Sequence, residues 1–135
     1  MEKVFIDTSG WYSFLNVNDP VYLKIKDFIS QNPTSLVTSN FIVAETLNLL
    51  VSRRQKHMAL SFGKALKENS EIIIYSIEHP DEAEAWKIFQ KYKDKDYSYT
   101  DCTSFALMNR LKIQAALALD DDFAKMGFTL IPQIK

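Results

Sequence analysis

Asp7, Glu45, Asp101 and Asp120 each sit where an apolar strand or helix pattern meets polar residues. Asp7 closes the run Val4-Phe5-Ile6-Asp7 and Asp120 closes Ala115-Ala116-Leu117-Ala118-Leu119-Asp120, so two expected strands each end on an acid. In open α/β sheets, ligand sites form at the carboxyl ends of strands. Carboxylates gathered there raise one another's pKa, and a divalent cation is the simplest offset. An all-oxygen donor set suits Mg²⁺ or Mn²⁺; zinc would recruit Cys or His, and His57, His79 and Cys102 show no such spacing.

The elements that must position these acids follow from hydrophobic periodicity. Short apolar runs alternate with helical spacing, the pattern of an α/β domain. The first strand spans Val4 to Asp7. Pro20 opens a helix with a stripe of Val21, Tyr22, Ile25, Phe28 and Ile29, and Asn32-Pro33 ends it. Leu36 to Thr38 forms a second strand. Ser39 or Asn40 then caps a helix with Val43, Leu47, Leu50 and Val51 on one face and Glu45 in its first turns. A helix around Met58, Phe62 and Leu66 leads to a strand at Ile72 to Tyr75. Another follows Pro80 with Ala85, Trp86, Phe89 and Tyr92. Ser98 or Thr100 caps the next, which carries Asp101 in its opening turn and runs to about Leu111. After the strand ending at Asp120 come a short helical turn, Gly127 as its stop, and a last strand at Thr129 to Ile131.

This layout predicts a three-layer α/β/α fold with a mostly parallel sheet of about four or five short strands. Asp7 and Asp120 stand at strand ends, and Glu45 and Asp101 near helix amino ends, on one rim of the sheet. The positive end of a helix dipole favours an ionised Asp101 by ~0.3 to 1 kcal/mol at an ordinary exposed terminus.

Composition bounds the rest. The 135 residues, 47% hydrophobic and 13% aromatic with three glycines, suffice for one core without disulfides, so residues 1–135 are expected to form a single domain. Cys102 is the lone cysteine, which permits a reducing compartment. The opening residues lack the apolar stretch of a signal peptide, and no run approaches the roughly 20 apolar residues of a membrane span. A soluble cytoplasmic protein is the expectation. A net charge of −1 makes the molecule as a whole no polyanion magnet. Contact with nucleic acid would be local: Arg53-Arg54-Gln55-Lys56-His57 is one basic stretch and Lys91, Lys93 and Lys95 another, although basic residues also suit helix carboxyl ends.

At the acids the chain resembles the PIN-domain ribonucleases, and within them the VapC-type toxins of toxin-antitoxin pairs. Val4-Phe5-Ile6-Asp7-Thr8-Ser9 is similar to the family's opening motif, Ser39 to Thr46 to its second, and Tyr97 to Ala106 to its third. Ala118-Leu119-Asp120-Asp121-Asp122-Phe123 with Gly127-Phe128 is similar to its fourth. The four span the chain in order. One departure is Ala118, where the family often has a small hydroxyl residue that could bond toward the site.

The resemblance implies metal-assisted hydrolysis of RNA phosphodiester bonds, with Mg²⁺ or Mn²⁺ as cofactor. By it, Asp7 and Asp101 bind the principal ion, Glu45 completes the cluster or orients the attacking water, and Asp120 binds or positions a second ion. Thr8, Ser9 and Thr100 supply hydroxyls beside the acids, and Asp122 an outer contact. Arg53, Arg54 and Lys56 are the candidate RNA contacts. A toxin of this kind implies a small cognate antitoxin. Apolar and aromatic helical stripes around Trp11, Tyr22, Phe41 and Phe62 exceed the need of one small sheet, so a homodimer is expected, as the family also implies.

Other readings use the same residues. Taken singly, Asp7 suits a strand-end turn, Glu45 a solvated helix, Asp101 an N-cap neighbour and Asp120 to Asp122 a helix start. A dehalogenase-like phosphatase would want an acid two positions after Asp7, where Ser9 stands; a response-regulator receiver would want a lysine near its last core strand, and Ala115 to Asp120 has none. Within the PIN fold, an RNA-processing nuclease and a catalytically silent binding module are the alternatives. Tyr97 and Tyr99 could stack on a base but suit the core, and Cys102 lacks the paired base of a nucleophile.

Overall fold

The computed structural model describes residues 2–31 and 34–132. Five parallel strands form one sheet: β1 (Glu2–Ile6), β2 (Thr34–Ser39), β3 (Ile73–Tyr75), β4 (Ala115–Leu117) and β5 (Thr129–Leu130). The helices are α1 (Thr8–Leu15), α2 (Tyr22–Gln31), α3 (Asn40–Ser52), α4 (Lys56–Glu68), α5 (His79–Lys91), α6 (Tyr99–Leu111) and α7 (Asp122–Lys125). The expected α/β/α architecture is what forms. Val4, Phe5 and Ile6 in β1 and Ala115, Ala116 and Leu117 in β4 are all buried, the continuous apolar run of a parallel strand covered on both faces.

Strand order is β3-β2-β1-β4-β5. The chain builds outward from β1 through β2 to β3, then crosses to the other side of β1 to lay down β4 and β5. The order therefore reverses between β1 and β4, and the crevice outside their carboxyl ends is the topological switch point where such sheets bind ligands. Val4, Phe5 and Ile6 pair with Ala115, Ala116 and Leu117, and the Asp7 N–H extends this ladder to the Leu117 carbonyl at 3.1 Å. Gly10 makes the junction possible: a Cβ there would lie 2.5 Å from both the Leu117 carbonyl oxygen and a Leu117 methyl. The first turn of α1 can thus rest directly on β4.

Several expectations need correction. The strand expected to end at Asp120 stops at Leu117, because β1 has by then turned into α1 and offers no further partners. As expected, the stripe around Trp11 is helical, and it forms α1. On α3 the buried line is Ile42, Thr46 and Leu50, while Val51 is 48% exposed. On α5 it is Asp81, Ala85 and Ile88; Trp86 and Phe89 lie outside, at 53% and 39% exposure, packed on each other. Both shifts have one cause: α3 meets α1, α4 and α6 as well as β2, and α5 packs against α6. An Asp81–Arg110 pair (2.6 and 2.9 Å) pins that contact. Pro20 precedes the helix rather than opening it. The stop expected at Asn32-Pro33 lies outside the described residues.

Candidate active site

Asp7 is the N-cap of α1, one residue past β1, and only 5% exposed. Its Oδ2 accepts the Ser9 hydroxyl at 3.2 Å; its Oδ1 is buried with no hydrogen-bond partner. Burial, then the charges of Asp101 and Glu45, raise its pKa from 3.8 to about 7. A buried, half-satisfied carboxylate is costly unless a cation answers it.

Asp101 enters from α6. Ser98 caps this helix, accepting the Asp101 N–H at 3.0 Å, while Asp101 Oδ2 takes the Ser98 N–H at 3.0 Å. This reciprocal capping box holds the carboxylate at the helix amino end. Burial raises its pKa to about 6 despite the bond from Ser98, and Glu45 and Asp120 add to the rise. Glu45 comes from the second turn of α3, whose start is set by Ser39 accepting the Ile42 N–H at 3.1 Å. Thr8 donates to Glu45 Oε1 at 2.5 Å, tying α1 to α3.

Asp120 is exposed, three residues beyond β4, and its Oδ1 accepts the Asp122 N–H at 3.1 Å in a turn that starts α7. Its charge is felt at Asp101. The charges of Asp7, Glu45 and Asp101 act on one another, and Asp120, from a fourth segment, acts on Asp101. Burial and then the charge of Asp120 raise the pKa of Asp122, and the Asp122 charge in turn raises that of the buried Tyr97. The Thr100 carbonyl accepts the Thr103 and Ser104 hydroxyls, and Thr100 lines a cleft with Glu45. Arg53, Arg54 and Lys56 lie at the α3–α4 turn, eight residues and about 12 Å along α3 from Glu45, with the Arg53 guanidinium 5.2 Å over the Tyr12 ring. They are not drawn into the acid cluster. Burial pushes the Cys102 thiol up to about 11, which leaves it inert as a nucleophile.

The fit to a metal ion rests on the donors themselves. Among the described residues no three acidic, histidine or cysteine side chains form a finished ligand set. What is present is a group of like charges with one buried oxygen, Asp7 Oδ1, left unpartnered. All-oxygen donors of this kind suit a hard divalent cation that keeps several waters.

Sequence reasoning missed two features. The bridge made by Ser9, which also accepts the Leu119 N–H at 3.1 Å, joins residues 110 apart and leaves no local signal. Phe41 and Asn48, which share the cleft with Glu45, were signalled by spacing: they lie four before and three after it on one helix.

A parallel sheet with carboxylates around its switch point is an arrangement that a metal-dependent nuclease can use. The chain belongs to the PIN-domain family of nucleases, whose profile matches residues 4–129. Nucleases of this family generally use divalent metal ions. The chain is similar to the 23S rRNA-specific endonuclease VapC20 of Mycobacterium tuberculosis, at 33% identity over 125 residues, 93% of this chain and 95% of the relative. The crystal structure of that protein, described as a sarcin-ricin loop cleaving toxin, superposes with a TM-score of 0.86 at 30% identity, covering 93% of this chain and 96% of the other. FitAcB of Neisseria gonorrhoeae shares the fold alone, with a TM-score of 0.71 at 13% identity over 94% and 95% of the two chains.

Proposed function

We propose that this chain is a metal-dependent endoribonuclease and the toxin of a type II toxin-antitoxin pair, with Asp7, Glu45, Asp101 and Asp120 as its catalytic acids. The observation that carries the reading is Asp7: a buried carboxylate with one oxygen unpartnered, at the sheet's switch point, under the field of two further acids. A divalent ion, Mg²⁺ or Mn²⁺, would be held by Asp7 and Asp101 with Glu45 and Asp120 completing the cluster. When bound it supplies positive charge against the phosphoryl oxygens and acidifies water at neutral pH.

The protein's own residues do the rest. Asp7 and Asp101 fix the position of charge, because one is locked at the end of β1 and the other in a capping box. Glu45 has its Oε1 engaged by Thr8, which leaves Oε2 to orient an attacking water. Ser9 holds Asp7 and the loop leading to Asp120 in register. Such preorganised placement is the main source of rate in phosphoryl chemistry.

A cytoplasmic, single-domain protein that pairs with an antitoxin and forms a homodimer accords with this reading. Exposed Val51, Leu60, Trp86 and Phe89 offer apolar surface for such contacts. Arg53, Arg54 and Lys56 would meet RNA phosphates away from the cut. Among the described residues no helix is long and apolar enough to cross a membrane. The test is cleavage of a hairpin RNA bearing the sarcin-ricin loop, the target named for the relative, with Mg²⁺ or Mn²⁺ added to metal-free protein. Asp7→Asn should abolish it with the fold intact. Equal cleavage by Asp7→Asn, once contaminating nuclease is excluded, overturns the assignment.

A further inference from the structure

We propose that the cleft between the first half of α3 and the first turn of α6 is a nucleobase subsite, taking the unpaired base next to the phosphate to be cut; this deepens the ribonuclease reading and rests on it. Phe41, Ala44, Glu45 and Asn48 from α3 and Thr100 from α6 line a cleft of about 400 Å³. The four α3 residues fall at i, i+3, i+4 and i+7, one face of a helix. The helix that presents Glu45 to the acids therefore also presents an aromatic ring one turn before it and an amide one turn after it.

Each wall suits a flat ring with polar edges. Phe41 is half-buried, its inner side packed on the core, which fixes the ring in place. Ala44 is exposed and adds only a methyl group, which leaves room alongside the ring. Asn48 is exposed and offers an acceptor and two donors. Neither its amide nor the Thr100 hydroxyl is engaged among the described residues. Aromatic faces bind unpaired bases by stacking, and an amide reads a base edge by paired hydrogen bonds. An apolar side chain from another protein would instead strip water from Asn48 and Thr100 without replacing it. Position argues the same way: Glu45 belongs both to this cleft and to the acid cluster, so an occupant here lies beside the reacting phosphate.

The test uses the full chain and a set of sarcin-ricin loop hairpins varied at the unpaired bases flanking the cut. Steady-state cleavage is measured alongside binding by fluorescence anisotropy, the latter in an Asp7→Asn background to hold cleavage off. Phe41→Leu keeps apolar volume but removes the stacking face; it should raise both KM and Kd about tenfold, with kcat within about twofold and Mn²⁺ affinity by calorimetry unchanged. Phe41→Tyr should bind like the parent. Asn48→Ala should flatten the preference among the four bases at one flanking position. Parent-like KM, Kd and base preference in both Phe41→Leu and Asn48→Ala would overturn the subsite. So would a change in light-scattering mass as their main effect, since the cleft would then be a contact between copies. A parent protein that neither binds nor cuts any hairpin would instead bring down the ribonuclease reading, and the subsite with it.

Discussion

The Ser9 hydroxyl donates to Asp7 Oδ2 at 3.2 Å and accepts the Leu119 N–H at 3.1 Å, so one side chain ties the most buried acid of the site to the loop that carries Asp120. Ser9→Ala should cost about 1 kcal/mol of stability, the net worth of a typical hydrogen bond. Its larger effect should be on metal: a roughly tenfold loss of Mn²⁺ affinity by calorimetry, as for other residues that orient metal ligands. Ser9→Thr, which keeps the hydroxyl, should recover much of it. Unchanged affinity in Ser9→Ala would remove the positioning role.

Asp7 makes metal-free stability depend on pH in a definite direction. Its pKa is about 7 in the folded chain against an ordinary 3.8, so the folded state holds the proton more tightly than the unfolded state does. Its stabilising share is full below about pH 4 and is lost as pH rises to about 7. At about 1.4 kcal/mol per pKa step, the gap between 3.8 and about 7 amounts to roughly 4 kcal/mol. Asp7→Asn lacks this loss. Denaturant melts without metal should therefore show the mutant gaining on the wild type between pH 4 and pH 7, and Mg²⁺ should close the gap by stabilising the wild type. A difference constant across that window would contradict the raised pKa.

Asp101 has a capping role and a proposed catalytic role that substitution can separate. Asp101→Asn keeps an oxygen to accept the Ser98 N–H, whereas Asp101→Ala loses it. Both should abolish cleavage. Only Asp101→Ala should lose the capping contribution, about 0.5 to 2 kcal/mol, read as a lower denaturation midpoint. Matching midpoints for the two variants would argue that the box adds little.

Gly10→Ala should damage the site without touching an acid. Its Cβ would meet the Leu117 carbonyl oxygen at 2.5 Å, a backbone atom that cannot swing aside. Pushing α1 off β4 should cost about 1 to 3 kcal/mol and weaken metal binding, because Asp7, Thr8 and Ser9 all ride on that junction. A variant with wild-type melting temperature and Mn²⁺ affinity would show that the junction yields freely.

The basic turn can be separated from the chemistry. If Arg53 and Arg54 meet phosphates, the double alanine variant should bind hairpin RNA more weakly and with a shallower salt dependence, each lost contact lowering the slope by about 0.7 to 0.9. Its metal response should match the wild type, since neither arginine reaches the acids. An unaltered salt slope would free the turn of any RNA role.

Much of the site was legible because its carriers are local. A parallel strand buried on both faces reads as an unbroken apolar run, so Val4 to Ile6 announces itself and leaves Asp7 at its end. Ser39 and Ser98 stood among the cap candidates because a hydroxyl beside a helix start has a local use, and each, as the cap, fixes where the following acid falls on the helix. Element order then implied a parallel sheet with the acids on one rim. The four-motif resemblance pointed to the same residues.

What local pattern could not supply was which elements become neighbours. β4 lies beside β1 because the chain crosses the sheet after β3, and that crossing sets where β4 runs out of partners and leaves Asp120 in a turn. The exposed sides of α3 and α5 differ from their apolar stripes because other helices claim part of each surface. The bonds from Thr8 to Glu45 and from the Leu119 N–H to Ser9 span 37 and 110 residues. Burial of Asp7 and its unpartnered oxygen depend on all of these contacts at once. The sequence by itself determined which residues carry charge and which segments carry them; only the tertiary structure decided how closely the charges approach and how far water is excluded, because both depend on packing between segments distant in the chain.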